Sequence, residues 1–234
     1  MIDLGGIPGF LQPMSILARY FSKSDLDEIK SAVGEAESKT SAEIVPFFAE
    51  SSHHYKEWAW FGAFLMGGLS GVTFYTAQNL YSLVWGGESF FAVLSVWVGA
   101  LLGLAITAVF PKVRINLVSR GAKQYFVDLR AKEAFLDEEV FRTKNRTGIL
   151  IYISLFEHFV RVLPDKEIAK VVPKSEWNEA VRLIVDGMKS NKKKDGIVSS
   201  ILFCGDLLKK YNIQIEKDDK NEISNEIRDG GKLM

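Results

Sequence analysis

Charged residues are almost absent from one long stretch of this sequence. Between residues 58 and 110 only Glu88 carries a charge, while the flanking segments hold almost all the Lys, Arg, Asp and Glu residues. A soluble domain of this size would have little protein with which to surround so many apolar residues. The stretch therefore predicts a membrane element, because a helix of roughly 20 apolar residues crosses about 30 Å of hydrocarbon.

Cysteine is also nearly absent. The single thiol, Cys204, cannot form an intrachain disulfide, which fits a reducing compartment. Its apolar neighbours at helical spacing predict an inert core thiol rather than a nucleophile. Residues 1–20 lack the basic start of a secretory signal, and we predict that they form an N-terminal tail.

Neither charge sign is in excess. The chain has 29 basic and 29 acidic residues, so it has no net basic field and we predict no nucleic-acid partner. The sequence contains no Walker loop, dinucleotide fingerprint, Gly-x-Ser-x-Gly elbow or Cys-x-x-Cys pair. These absences exclude the enzyme classes that have the strongest sequence signatures.

Two helices, at about residues 58–77 and 90–110, account for the uncharged stretch. Helix is the only sensible structure for them in lipid, because backbone polar groups there must be satisfied internally. The connecting loop, residues 76–89, has no Lys or Arg, whereas Lys56 precedes the first helix and Lys112 follows the second. The positive-inside rule then predicts a transmembrane hairpin with both termini in the cytoplasm and the lipid bilayer as a partner.

Glycines recur within this hairpin at a regular spacing. Gly67 and Gly71 in the first helix are separated by three residues, and Gly99 and Gly103 repeat the spacing in the second. Such small-residue spacing permits close packing of membrane helices. The alternative is that glycine is simply common in helices of this kind.

The sequence outside the hairpin has the pattern of an α/β domain. Helical and strand patterns follow the order α, β, hairpin, α, β, β, α, α, which predicts a sheet covered by helices. Residues 21–57 and 111–214 are predicted to form one discontinuous domain, because the first strand alone has half a core. Residues 215–234 are strongly polar and predict a loosely held tail.

Three segments are the strand candidates. Residues 149–154 and 159–163 are apolar runs joined by a short turn, which predicts an antiparallel hairpin. The third, residues 41–49, contains Pro46, which favours the end or the edge of a strand.

Several short motifs, taken together and in order, resemble those of the TPM domain family. They are SAEIV (41–45), RTGILI (146–151), ISLFE (153–157), PDKEI (164–168), Trp177, DGI (195–197) and DDKNE (218–222). The resemblance implies an α/β/α sandwich with a small mixed sheet. Some members of the family are described as acid phosphatases and some bind a divalent cation such as calcium. This sequence departs from the common pattern, because a hairpin splits the domain and no signal peptide is evident. It is identified with membrane-anchored bacterial members, which implies the inner membrane.

Candidate site residues lie at the ends of predicted strands. Glu43 is near the start of the first strand and Asp165 follows the last, and these ends meet if the two strands run antiparallel. Two carboxylates there could bind Ca²⁺ or Mg²⁺, or serve as acid and base. The alternative is a solvated strand residue and a turn residue. Arg146 could hold a phosphate or form a structural salt bridge.

A second set of oxygen ligands lies in the C-terminal segment. Asp218 and Asp219 stand close to further polar residues, but the segment lacks the Gly and full periodicity of an EF-hand loop. A solvated acidic tail is the alternative interpretation.

Two hypotheses of function follow. The first is a membrane-tethered interaction or assembly module, with a protein partner at the membrane and a bound cation as a possible cofactor. The second is a weak metal-dependent phosphatase that acts on phosphate monoesters through Glu43, Asp165 and Arg146. The absence of an evident nucleophile favours the first hypothesis.

Overall fold

The computed structural model describes residues 16–81, 88–213 and 222–231. The chain divides into two compact units. One combines the residues up to Ser52 with those from Phe126 onward, and the other comprises His53–Tyr125. The first unit is therefore assembled from sequence on both sides of the second.

A mixed four-stranded sheet forms the centre of the first unit. Its order is β3-β2-β1-β4, with strands β1 (Glu43–Ala49), β2 (Gly148–Ser154), β3 (Phe159–Pro164) and β4 (Arg228–Asp229). β1 and β2 are parallel and β2 and β3 are antiparallel. The predicted pairing of residues 41–49 with 149–154 and the predicted hairpin of β2 with β3 are both confirmed.

Nine α-helices are found in the described part of the chain. They are α1 (Ile16–Tyr20), α2 (Lys23–Glu37), α3 (Trp58–Tyr81), α4 (Glu88–Val109), α5 (Pro111–Leu117), α6 (Arg120–Asp137), α7 (Lys166–Val171), α8 (Trp177–Lys189) and α9 (Lys193–Lys210). A short 3₁₀ turn spans Val140–Arg142. The α/β class predicted from the sequence is confirmed.

Helices cover both faces of the sheet, because side chains of β1 alternate between two cores. Ile44 and Phe48 join one core with residues of α2, α8 and α9. Val45 and Phe47 join the other with residues of α6. α2 begins at a capping box, in which the Ser22 side chain accepts a hydrogen bond from the Asp25 backbone and the Asp25 carboxylate accepts one from the Ser22 backbone.

Pro46 lies in the middle of β1, so the predicted strand end is wrong, but the side of β1 that its backbone faces is unpaired at this residue, as at a sheet edge. The Phe48 carbonyl accepts from Gly230 on the β4 side, and strand alternation turns the backbone of Pro46 and Ile44 to that same side. β4 pairs only with Phe47 and Phe48, so no strand faces the missing Pro46 N–H. The Ile44 N–H is satisfied by the Glu37 carboxylate at 2.9 Å. Proline therefore costs the sheet no hydrogen bond here.

The C-terminal segment is not a loose tail where the structure describes it. β4 pairs parallel to β1, and the Glu222 N–H donates to the Glu43 carboxylate at 2.9 Å. The Asn225 side-chain amide donates to the Glu37 carboxylate at 2.5 Å. At the other end of the chain, α1 lies within the predicted 1–20 tail yet buries Ile16 in the core. The polar C-terminal sequence therefore forms specific backbone and side-chain bonds that its composition does not indicate.

The second unit is built on α3 packed antiparallel against α4. An added Cβ at Gly103 would lie 2.3 Å from the Gly62 carbonyl oxygen, and one at Gly99 would lie 2.7 Å from the Met66 carbonyl oxygen. The close packing predicted from the glycine spacing is confirmed. Open space surrounds Gly68, so this glycine has no part in the contact.

Of the two predicted spans, one meets the requirements of length and composition. Among the described residues, Phe90–Val109 is a helix long and apolar enough to cross a membrane, and 17% of its most apolar window is buried. α3 is longer but does not meet the same requirement. Its glycines and hydroxyl groups, together with Gln78 and Asn79, lower its apolar character.

Candidate functional site

The predicted site residues lie at the same end of the sheet, where β1 and β2 begin and β3 ends. Glu43 is level with Gly148 in the β1–β2 register, and the Asp165 N–H donates to the Gly148 carbonyl at 2.8 Å. β3 does run antiparallel to β1, but β2 lies between them. Two strand spacings therefore separate Glu43 from Asp165, about 9–10 Å between backbones. The two carboxylates therefore lie at the same end of the sheet but are not adjacent.

Arg146 and Asp165 form an ion pair with each other. The Arg146 Nε and Nη2 atoms donate to the two Asp165 carboxylate oxygens at 2.6 and 2.9 Å. The Asp165 side chain is 4% exposed and that of Arg146 is 48% exposed. The hydrogen bonds that Arg146 donates to Asp165 raise the pKa of Arg146 above its ordinary value. Of the two roles predicted for Arg146, this geometry supports the structural salt bridge.

Asp165 has a further role at the start of α7. Its carboxylate accepts a hydrogen bond from the Lys166 N–H at 2.7 Å and so caps the helix. α7 itself is not evident from the sequence pattern. A carboxylate that receives an N-cap bond and both arms of a guanidinium is largely saturated, which leaves it little capacity as a metal ligand or a base.

A half-buried carboxyl that sequence analysis missed lies beside Glu43. Glu37, in the last turn of α2, accepts from Ile44 and from Asn225. Burial, and to a lesser degree the neighbouring charge of Glu43, raises the pKa of Glu37 to about 8. The sequence of α2 is that of an ordinary amphipathic helix, so the environment of Glu37 is evident only from the fold.

These carboxyl groups do not form a metal centre within the described residues. No cluster of three or more His, Cys, Asp or Glu side chains in the described ranges is arranged to hold a metal ion. The candidates Asp218 and Asp219 lie outside the described residues.

A polar network occupies the opposite, carboxyl-terminal end of β1 and β2, where ligands of open α/β sheets usually bind. The buried Glu157 carboxylate accepts from the Ser52 N–H at 2.8 Å and from the Ser154 hydroxyl. The Ser52 hydroxyl in turn lies 2.9 Å from the Tyr152 hydroxyl. Burial raises the pKa of Tyr152 to about 12, so this phenol stays protonated.

This network is internally satisfied and fixes the β2–β3 turn against the residues that follow β1. The ISLFE motif contains Ser154 and Glu157, but nothing in the sequence assigns a role to Ser52 or Glu157. At the core of the same unit, Cys204 is fully buried, and burial raises its pKa to about 12. The predicted core position of this thiol is confirmed.

The fold and this site define an α/β protein with a small mixed sheet. No protein-family model matches the sequence, and no curated protein matches it. The chain is similar in fold to the NMR structure of the BA42 protein from the psychrophilic bacterium Bizionia argentinensis, at 20% identity and a TM-score of 0.56. The similarity covers 90% of this chain and 96% of that one, and at this identity it shows a shared fold alone.

Proposed function

We propose that this chain is a membrane-tethered TPM-type protein whose α3–α4 hairpin enters the lipid bilayer and whose α/β unit is a cytoplasmic interaction module. One observation carries the proposal: large apolar side chains stand exposed around both helices. Phe64 is 81% exposed, and Trp97 and Leu101 are 65% and 64% exposed. Apolar surface of this extent marks a membrane or protein contact, since soluble monomers rarely expose it.

α3 belongs in the bilayer with α4 although it is less apolar, because the polar groups of the pair are satisfied between the two helices. The Thr107 hydroxyl, on α4, donates to the Ala59 carbonyl of α3 at 3.1 Å. The Ser70 hydroxyl, on α3, donates to the Ser95 carbonyl of α4 at 2.8 Å. Bonds of this kind, with glycines that let the backbones approach, stabilise helix pairs in lipid.

The interaction role is favoured over the phosphatase role by the ion pair of Arg146 and Asp165. An arginine that binds phosphate presents its guanidinium to the ligand, whereas here two of its nitrogens are bound to Asp165. The TPM assignment is supported by the ordered motifs and by the small mixed sheet with helices on both faces, which is the architecture that the resemblance implies. The bacterial inner membrane is the proposed location.

Cysteine labelling in intact cells tests the membrane topology. In a Cys204→Ser background, we expect Glu88→Cys to react with a membrane-impermeant maleimide added outside. Lys189→Cys, at the exposed end of α8, is the matched control and should react only after the cells are permeabilised. Labelling of Glu88→Cys only after permeabilisation would contradict the hairpin.

A charge substitution tests insertion directly. Leu101→Arg places a charge on the apolar span, and we expect it to disfavour insertion by about 2.5–3.5 kcal/mol. Val113→Arg, on the exposed face of α5 beyond the span, should leave insertion unchanged. Extraction by alkaline carbonate reports the difference, and equal extraction of both variants and the wild type would refute the proposed span.

A further inference from the structure

β3 is an edge strand with a specific set of free backbone groups. It pairs with β2 on one side and with no described strand on the other. The Asp165 N–H points to β2, so strand alternation also turns the backbones of Leu163 and Arg161 to β2. The backbones of Val160, Val162 and Pro164 therefore face outward.

Few of these outward groups find a partner within the described chain. The Val160 carbonyl accepts from the Arg161 side chain at 3.1 Å, and Pro164 has no N–H to donate. This leaves the N–H groups of Val160 and Val162 and the carbonyls of Val162 and Pro164. Such a row of donors and acceptors is a template for one short added strand.

A groove of about 590 Å³ runs along this edge within the first unit. α6 forms one wall and the segment from α7 to α8 forms the other. Its lining includes Asp128, Lys132, Val172, Lys174, Trp177 and Val181. The α6 wall contributes charged side chains and the other wall contributes mainly apolar ones, so the groove offers side-chain contacts of both kinds beside the free backbone groups.

One residue of the groove lining, Trp177, carries a buried polar atom without a partner. Trp177 is 5% exposed, and its indole N–H makes no hydrogen bond to any described residue. A buried indole N–H usually has an acceptor, and leaving it without one costs free energy. An oxygen atom of a bound chain would supply that acceptor.

The charges around the groove indicate the sign of the charge that its ligand carries. Arg161 is paired with Asp128, so these two charges cancel. Lys132 and Lys174 are exposed and form no ion pair with a described residue. The groove therefore carries a surplus of positive charge, and acidic residues complement it.

We propose that the free edge of β3 binds an extended, acidic segment of a partner protein, which adds as a fifth strand and accepts the Trp177 N–H. This inference rests on the proposed role as an interaction module and names the chemistry of its partner. Main-chain hydrogen bonds give such complexes their affinity, and side-chain pockets give them specificity. Only a few backbone groups are free, so the added strand is short and acidic flanks strengthen its binding.

Peptide selection tests the proposal. The probe is a phage-displayed library of random peptides, selected against the full-length protein in detergent. We expect enriched peptides that alternate β-branched residues and carry Asp or Glu at their flanks. Val162→Pro removes an outward N–H without removing a β2–β3 bond, and it should weaken these peptides about tenfold.

Two further variants keep the test independent of any folding defect in Val162→Pro. Trp177→Phe removes the indole N–H but keeps an aromatic ring, and Lys132→Glu reverses one charge of the groove. Each should weaken binding of the selected peptides by a factor of about three to ten. Lys209→Glu, on exposed α9 surface outside the groove, is the matched control and should bind as the wild type does.

Hydrogen exchange locates the binding site. A bound peptide should slow exchange of the Val160 and Val162 amides, whereas the Arg161 amide, already bonded to β2, should change little. Peptides that bind all variants equally, or no enrichment at all, would overturn the proposal. So would self-association through this edge that is lost in Val162→Pro, because the occupant would then be a second copy. If the peptide assays fail while the cysteine labelling gives its expected result, the proposed membrane tether is still supported. The two proposals can therefore fail independently.

Discussion

The contact between α3 and α4 at Gly103 makes a quantitative prediction about the hairpin. Gly103→Ala adds one methyl group to α4 where it faces α3. That Cβ would lie 2.3 Å from the Gly62 carbonyl oxygen and 2.7 Å from the Met66 Cβ. Real Cβ atoms do not approach closer than 3.0 Å, and the nearest obstacle is backbone, so the helices must separate.

The expected cost of Gly103→Ala follows from two opposing effects. Overpacking a close contact costs about 1–3 kcal/mol. Replacing glycine by alanine within a helix returns about 0.5–1 kcal/mol. Separation also lengthens the interhelical bond of Thr107 to Ala59. We therefore expect a net loss of about 1–2 kcal/mol in the unfolding free energy of the hairpin.

Gly68→Ala provides the matched control, because no atom lies within 4 Å of its added Cβ. Its stability should be unchanged or raised by up to about 1 kcal/mol. Unfolding in mixed micelles by titrated dodecyl sulfate, followed by tryptophan fluorescence, measures both variants. Equal stability of Gly103→Ala and Gly68→Ala would refute the described helix contact.

Three other predictions concern the α/β unit. The pKa of Glu37 is raised to about 8, so the folded state holds a proton that the unfolded state has lost above its ordinary value of 4.5. Stability should fall as the pH rises between these values, on the order of 2 kcal/mol after solvent screening, and Glu37→Gln should flatten this slope in denaturant titrations. Arg146→Met leaves the buried Asp165 carboxylate without its counter-ion, and we expect a loss of about 1–3 kcal/mol in thermal or urea unfolding; an unchanged midpoint would contradict the ion pair. Native Cys204 should resist a thiol reagent until denaturant is added, and rapid native labelling would contradict its burial.

The sheet could be predicted where hydrophobic pattern and chain order agree. β1, β2 and β3 are short apolar segments, and each lies where the pattern placed it within a residue or two. The joining of β1 to the later strands was expected because the segment that contains β1 has only half of a hydrophobic core on its own. These features depend on local sequence and on burial, which a single sequence displays directly.

The remaining features depend on contacts between distant residues. β4 is two residues of polar sequence, and long-range contacts such as its bond to Phe48, the link of Glu222 to Glu43 and the bond of Asn225 to Glu37 hold that segment in place. Pro46 is tolerated because of where β4 begins, which its own neighbours do not reveal.

The location of the candidate site was predicted correctly, but the proximity of Asp165 to Glu43 was not. Glu43, Arg146 and Asp165 do gather at one end of the sheet. The strand order decides that Asp165 meets Arg146 rather than Glu43, and strand order is not encoded in periodicity. Glu37 and Glu157 were missed because burial of a lone carboxyl leaves no local signal.

The placement of the hairpin between two neighbouring parallel strands governs the order of events during biosynthesis. β1 leaves the ribosome first, but its partner β2 follows roughly a hundred residues later, after both hydrophobic helices have been made. Until β2 has been made, the apolar strand β1 has no pairing partner and must be protected from aggregation. In the proposed membrane-tethered protein, delivery of the helices to the insertion machinery thus precedes completion of the sheet, so targeting comes before the α/β unit is finished.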